Sequence, residues 1–263
     1  MRTAPLRVNP QTALFYGHLK VGKTSACAAL PDSLVLELQP GGADFCTTGR
    51  FLDIKGPDDL VATLEQFAKL RKEGKLGFSK LIVDHLGILD DWVQAIALRN
   101  YCEFPMARKE AASYKRVTDI PGPGDKGGSP GWAWLWDAQA EMYKRIIAAA
   151  PEIIFIAHVR PKYVATQNDV VASDDVDIDG KKARMLFCGN TSAIGRFYRK
   201  QENGEDRLIV SFKTNEAITC GCALPRLSGT EHVIARTKIG AKELPVYDWS
   251  QIYLPETSKN GAP

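Results

Sequence analysis

The sequence predicts an α/β fold with a mostly parallel central sheet flanked by helices and an antiparallel extension in the C-terminal third. Three observations carry that prediction. Short apolar runs alternate with helix-period patterns along the first 160 residues, the order that builds parallel strands joined by helical crossovers. Three of the runs are continuously apolar, as strands covered on both faces must be. From about residue 184 the spacing changes to short strands with a turn, "ENGED", between two of them, which is antiparallel character.

Taken in order, "TALFYG" (12–17) reads as a buried strand and "KTSACAAL" (23–30) as a helix stopped near Pro31. "SLVLEL" (33–38) is a second strand. "PDDLVATLEQFAKLRKEG" (57–74) places Leu60, Val61, Leu64, Phe67, Ala68 and Leu70 on one helical stripe that ends at Gly74. "KLIVDH" (80–85) is a third strand, followed by a helix around "GILDDWVQAIAL". After a long irregular stretch, 134–150 is helical and "EIIFIAHV" (152–159) is a fourth strand that ends near His158. "RMLFCG", "AIGRFYRK" and "DRLIVSFKT" read as the later, shorter strands. The expectation is a single domain over 1–250, with mobile loops at 98–131 and 160–185 and a tail from 251 to 263.

Bulk properties exclude several classes. At 263 residues the chain is long enough to bury a sizeable core. Its 34 basic and 31 acidic side chains leave a net charge of +3, too small to announce a nucleic-acid partner without a local patch. No apolar run reaches membrane-spanning length, and the N-terminus has no secretory h-region. The six cysteines show no zinc spacing; free thiols in a reducing cytoplasm, with no membrane association, are expected.

The chemistry begins at "GHLKVGKTS", Gly17 to Ser25. Glycine, four residues, then glycine–lysine–threonine, placed between a strand and a helix, is a phosphate cradle. Gly17 and Gly22 are expected to let the backbone turn so that N–H groups of His18, Leu19, Lys20, Val21, Gly22, Lys23, Thr24 and Ser25 converge on phosphate oxygens, with the positive end of the helix behind them. Lys23 should reach the β- and γ-phosphates, and the Thr24 hydroxyl should ligate Mg²⁺. ATP and Mg²⁺ are therefore the expected ligands. The partner acid for the metal is Asp84, at the end of the "KLIVD" strand; capping the next helix is its alternative role. For hydrolysis, Glu37 and Gln39 share a strand face, and either is a candidate to orient water. His158, at a strand's carboxyl edge, is a candidate phosphate sensor or a structural histidine.

These blocks, "LFYGHLKVGKTS", "LVLELQPGG", "SKLIVDHLGILDDW" and "IIFIAHVRPK", resemble the phage-encoded, RecA-like P-loop ATPases of the single-strand annealing and recombination group. Lys20 belongs to that likeness, because a generic phosphate loop does not need it. It would be a second positive charge over the γ-phosphate or toward a neighbouring subunit, or else a hydrated loop cation. "IDGKKARML" also resembles a segment of that family. "IARTKIG" (234–240) is similar to the basic motif that such cores insert into a neighbour's active site, which makes Arg236 and Lys238 candidate trans-acting fingers. The resemblance implies ATP hydrolysis, single-stranded DNA as partner, self-association as a ring or filament, single-strand-binding or replication proteins as further partners, and a bacterial host cytoplasm. It also implies an acidic residue followed by glycines after the second strand. Gln39 stands at that place in "LQPGG", unless Glu37 substitutes.

Two regions are expected to face DNA. The first carries Arg108, Lys109, Lys115 and Arg116 interleaved with aromatic residues, a pattern suited to phosphates and stacked bases. Its "PGPGDKGGSPG" tract is expected to be mobile. The second, "DVDIDG" (175–180), begins like a calcium loop but has Leu186 where a bidentate Glu is required, so it reads as an acidic loop. Trp132 and Trp136 share a helix face, for core or subunit-interface packing more than base stacking. Two other functions stay open: a P-loop small-molecule kinase, and a low-turnover nucleotide-dependent interaction module or helicase-loading partner.

Overall fold

The structure is a computed structural model, and it describes residues 8–104, 113–120, 131–165, 170–178, 180–215, 218–240 and 244–255. Among them are ten strands in one sheet with five α-helices. Strands β1 (Thr12–Gly17), β2 (Ser33–Glu37), β3 (Phe51–Asp53), β4 (Lys80–Asp84) and the first part of β5 (Glu152–Ala165) are parallel, and β7 (Ala193–Glu202) is parallel to β1. The order β10-β8-β7-β1-β5-β4-β2-β3 puts the phosphate-loop strand at the centre. Strands β8 (Glu205–Ser211) and β10 (Glu231–Lys238) extend one edge antiparallel, and the short β9 (Gly221–Cys222) pairs with β7.

Side chains alternate strictly between the two faces, so each strand feeds two cores. On one face Leu14, Leu36, Leu81, Val83 and Phe155 pack under α2 (Pro57–Lys72), α3 (Leu86–Cys102), α4 (Gly131–Ala149) and α5 (Lys181–Gly189). On the other, Phe15, Val35, Ile82, Ile154 and Phe197 pack against α1 (Lys23–Ala28) and the chain's last described segment. That segment is held by Trp249, which is 4% exposed, contacts the rings of Phe15 and Phe197, and donates its indole N–H to the Ala26 carbonyl at 2.7 Å.

Several expectations are corrected. The segment "RMLFCG" is helix, within α5, because Ala183 and Phe187 recur at four-residue spacing and bury one stripe. The three-residue β3 carries too little periodicity to read. His158 does not end its strand: β5 runs on to Ala165 and pairs antiparallel with β6 (Val170–Val176). The expected loop at 160–185 is therefore largely a β-ribbon followed by the start of α5. Its acidic residues are structural as well: Asp175 is buried and held bidentately by Arg184, and Asp177 pairs with Arg160. In the 98–131 region, α3 continues to Cys102 and a 3-10 turn spans Val117–Asp119; the "PGPGDKGGSPG" tract lies almost wholly outside the described residues. The first residues of the tail expected from 251 to 263 belong to the core instead, since Ile252 and Tyr253 are buried at 0% and 8% exposure; 256–263 lie outside the described residues. The helix expected from 134 starts at Gly131, and Trp132 and Trp136 on it are exposed at 52% and 40% rather than in the core. All six cysteines are free thiols.

Helix α3 leaves the end of β4 and packs antiparallel on α4: Gln139 donates to Asp90 at 2.8 Å, and the rings of Tyr101 and Trp134 meet at 5.7 Å. Because α4 feeds the start of β5, its first turns and the last turns of α3 reach past the carboxyl edge of the sheet. The β5–β6 ribbon passes the same edge, where β1, β2 and β4 end.

Candidate active site at the carboxyl edge of the sheet

The loop after β1 is built by two glycines with different reasons. A Cβ on Gly17 would stand 2.6 Å from the Phe197 carbonyl oxygen, so glycine there serves the close β1–β7 approach rather than the turn expected of it. Gly22 does make the turn, with φ 107°, in the region that favours glycine. Lys20 adopts φ 60° at the exposed tip of the loop, beside exposed His18 and Leu19, while Val21 is buried. Gly22 is the residue before α1, so the amides of Lys23, Thr24 and Ser25 lie in that helix's first turn.

Lys23 is only 5% exposed. Its Nζ donates to the carbonyls of Gly17 at 2.8 Å and His18 at 2.9 Å, and lies 3.4 Å from Nδ1 of His158. Burial lowers its pKa to about 8, against the pull of Asp84. Since the ammonium can only donate, Nδ1 of His158 accepts and the imidazole proton sits on Nε2. Burial first, then Lys23 and His85, lower His158 to about 4, so this ring is neutral near pH 7. His85 packs edge-on against it, with ring centroids 4.4 Å apart, and accepts from the Gly87 amide at the start of α3.

Thr24 donates its hydroxyl to Oδ2 of Asp84 at 2.6 Å. Burial raises the Asp84 pKa, while Thr24, His85 and Lys23 oppose the rise. A hydroxyl and a desolvated carboxylate side by side are hard oxygen donors that suit Mg²⁺, which completes its shell with waters and substrate phosphate oxygens. Among the described residues no group of three or more His, Cys, Asp or Glu could hold a metal. The helix-capping alternative for Asp84 does not apply, since His85 caps α3.

Glu37 and Asp84 are register partners on adjacent parallel strands, and His158 lies on the next strand, opposite Gly17. The sheet thus lines Glu37, Asp84 and His158 along one edge on the face that carries α1. Glu37 is buried, and its cost is met by the Ala43 amide, which donates to Oε1 at 2.9 Å. Gln39 lies beyond the strand and is exposed; its carbonyl accepts from Gly42 in a turn.

Arg236 and Lys238 are exposed on the edge strand β10. Three strand spacings, about 14 Å, separate them from β1, so they do not join the site of their own chain. Lys115 and Arg116 are exposed, their amides bonded to Asp119, beside an open groove of about 950 Å³ between α3 and α4 that Trp132 also lines. Arg108 and Lys109 lie outside the described residues.

One residue at the site escaped the sequence reading. Arg199 on β7 donates from Nε to the Val21 carbonyl at 3.0 Å and pairs with Asp206 of β8. It fixes the turn at Gly22 from the side away from Asp84. Only pairing of β7 with β1 brings it there, and no local motif marks it.

Residues 9–221 match the family model of the AAA domain. The chain belongs to this AAA domain family. Family and geometry agree: it is a P-loop AAA-type ATPase domain, whose general activity is nucleotide binding with ATPase chemistry. No curated protein matches it. Among the described residues no helix of this AAA domain is long and apolar enough to cross a membrane.

Proposed function

We propose that the chain hydrolyses ATP to ADP and phosphate and binds single-stranded DNA, acting as an oligomer in DNA recombination, annealing or repair. The observation that carries the hydrolysis is the alignment of Glu37, Asp84 and His158 on three adjacent strands of the face that holds Lys23 and Thr24. Lys23, released from the Gly17 and His18 carbonyls, pairs with phosphate oxygens. Asp84 and Thr24 hold Mg²⁺, which when bound neutralises charge building on the phosphates. Glu37 is the general base: it is buried on the site face, with one carboxylate oxygen fixed by Ala43 and the other left to orient water. Gln39, exposed beyond the strand, has no such position. His158, neutral and bonded to Lys23, presents its Nε2–H as a donor that reports phosphate state to the β5–β6 ribbon it begins.

The DNA reading is supported by Lys115, Arg116 and exposed Trp132 around one groove past the carboxyl edge, since cations beside aromatic faces suit a single strand. Self-association is supported by Arg236 and Lys238, two cations on an exposed edge strand too far from their own phosphate loop. The resemblance to phage recombination ATPases suggests replication or single-strand-binding proteins as further partners.

The test is the ATPase rate with and without single-stranded DNA. Strong stimulation supports the proposal. Turnover that needs a small-molecule acceptor makes the chain a kinase instead. Tight ATP binding without turnover in either condition makes it a nucleotide-dependent interaction module.

A further inference from the structure

Beyond His158, β5 carries a second polar side chain, Arg160. Side chains alternate along a strand, so His158 and Arg160 share a face, about 7 Å apart. His158 is bonded to Lys23 and, with Thr24 and Asp84, marks the γ-phosphate end of the loop. Arg160 is the next basic residue outward from that end. Its Nε donates to Oδ1 of Asp177 at 2.7 Å, and its Nη2 lies 2.6 Å from the same oxygen. Asp177 is tied in turn to β5, because its amide donates to the His158 carbonyl at 3.0 Å.

Burial lowers the pKa of both His158 and His85, and the Asp177 carboxylate opposes that fall at both rings. The carboxylate and the guanidinium bonded to it thus stand beside the imidazole that meets Lys23. Both partners are partly open to solvent, with side-chain exposures of 40% and 39%. An ion pair at that exposure is held weakly, and a phosphate oxygen can replace the carboxylate as acceptor of the guanidinium fork. In phosphoryl transfer, charge spreads over the three γ-oxygens, and Lys23 brings a single point charge to them. Arg236 and Lys238 of the same chain lie on β10, three strands from β1, and cannot add to it. An uncovered Asp177 there would repel the γ-phosphate; Arg160 covers it.

We infer that Arg160 is a γ-phosphate ligand of its own chain: its guanidinium exchanges Asp177 for a γ-phosphate oxygen when the triphosphate binds, and Asp177 is the positioning residue that keeps it beside the site. The inference rests on the phosphate loop holding the triphosphate, and goes beyond it by naming a second cation that acts within one chain.

The experiment compares Mg²⁺-ADP with Mg²⁺-AMP-PNP, which keeps a γ-phosphate and is not hydrolysed, by calorimetric titration of the full chain. Arg160→Ala is expected to weaken AMP-PNP about tenfold or more, as loss of a hydrogen bond to a charged group does, and to leave ADP unchanged. Arg160→Lys keeps the charge and should recover part of the preference. Asp177→Asn loosens the hold on Arg160 and should raise AMP-PNP affinity relative to ADP; with Arg160→Ala added, that gain should vanish. A merely structural ion pair would leave the ratio of the two affinities unmoved. Arg160→Ala should also lower kcat for ATP about a hundredfold or more. A wild-type chain that binds both nucleotides equally, or a folded Arg160→Ala that keeps the wild-type ratio, overturns the inference. So does weakened single-stranded DNA binding in Arg160→Ala with the ratio intact, which gives Arg160 to DNA. If Arg160→Ala does not fold, Asp177→Asn decides, and an unchanged ratio there overturns the inference. Lys23→Ala is expected to lose both nucleotides. If it does so while the Arg160 and Asp177 variants bind as wild type, the second cation is wrong and the phosphate loop stands; if Lys23→Ala still binds both, the phosphate-loop reading itself fails.

Discussion

Lys23 is the most constrained side chain of the site. Burial lowers its pKa to about 8, while a bound triphosphate favours the charged form. ATP affinity at fixed Mg²⁺ is therefore expected to be flat below about pH 7 and to fall by up to tenfold per pH unit above about pH 8, approaching the behaviour of a neutral amine. Affinity unchanged to pH 9.5 would contradict this. The His158 ring works in another window. Its folded pKa of about 4 lies below the unfolded value near 6.5, so the unfolded chain binds more protons between those values. Stability should rise as pH climbs from 4 to 6.5, and chemical denaturation of His158→Gln should show a shallower slope. A residual slope belongs to His85, also lowered by burial. At the metal pair, Asp84→Asn leaves Thr24 its acceptor oxygen but removes the charge. Mg²⁺-dependent enhancement of ATP binding should vanish while metal-free ATP still binds; an undiminished Mg²⁺ effect would remove Asp84 from the metal site.

At the scale of elements, the last described segment is part of the fold. Trp249→Ala removes a buried indole, its bond to α1 and contacts with Phe15 and Phe197, and is expected to cost about 3–5 kcal/mol, read as a lowered thermal midpoint. A midpoint within a degree of wild type would show the segment to be dispensable. This anchor was not legible in the sequence, because "PVYDWSQIYL" has neither strand nor helix periodicity and its partners are distant, Phe15 and Ala26 more than 200 positions away. What was legible is what local pattern controls. Continuous apolar runs marked β1, β2 and β4, the stripe from Leu60 to Leu70 marked α2, and the glycine–lysine–threonine spacing marked the phosphate loop. What was not legible depends on distant partners. "RMLFCG" is apolar enough for a strand and becomes α5 because α4 offers it a helix-wide surface. Arg199 reaches Val21 only through the β1–β7 pairing. Gly17 fits its motif, yet the Phe197 carbonyl is what excludes a side chain there.

On the scale of the whole molecule, a single sheet edge gathers the chemistry. Strands β1, β2 and β4 end where Lys23, Glu37 and Asp84 converge, β5 passes through as His158 and continues into a ribbon, and α3 and α4 carry the Trp132 groove past the same edge. If single-stranded DNA lies there, Arg116→Ala with Trp132→Ala should weaken its binding about tenfold or more and flatten its salt dependence, with ATP affinity unchanged. Wild-type DNA affinity in that double variant would move the DNA site elsewhere. All these readings depend on the phosphate loop, and calorimetric titration with Mg²⁺-ATP tests it most directly by comparing the wild-type chain with a folded Lys23→Ala variant. The account predicts one site per chain in the wild type and no measurable binding in the variant; retained ATP affinity in Lys23→Ala would contradict it.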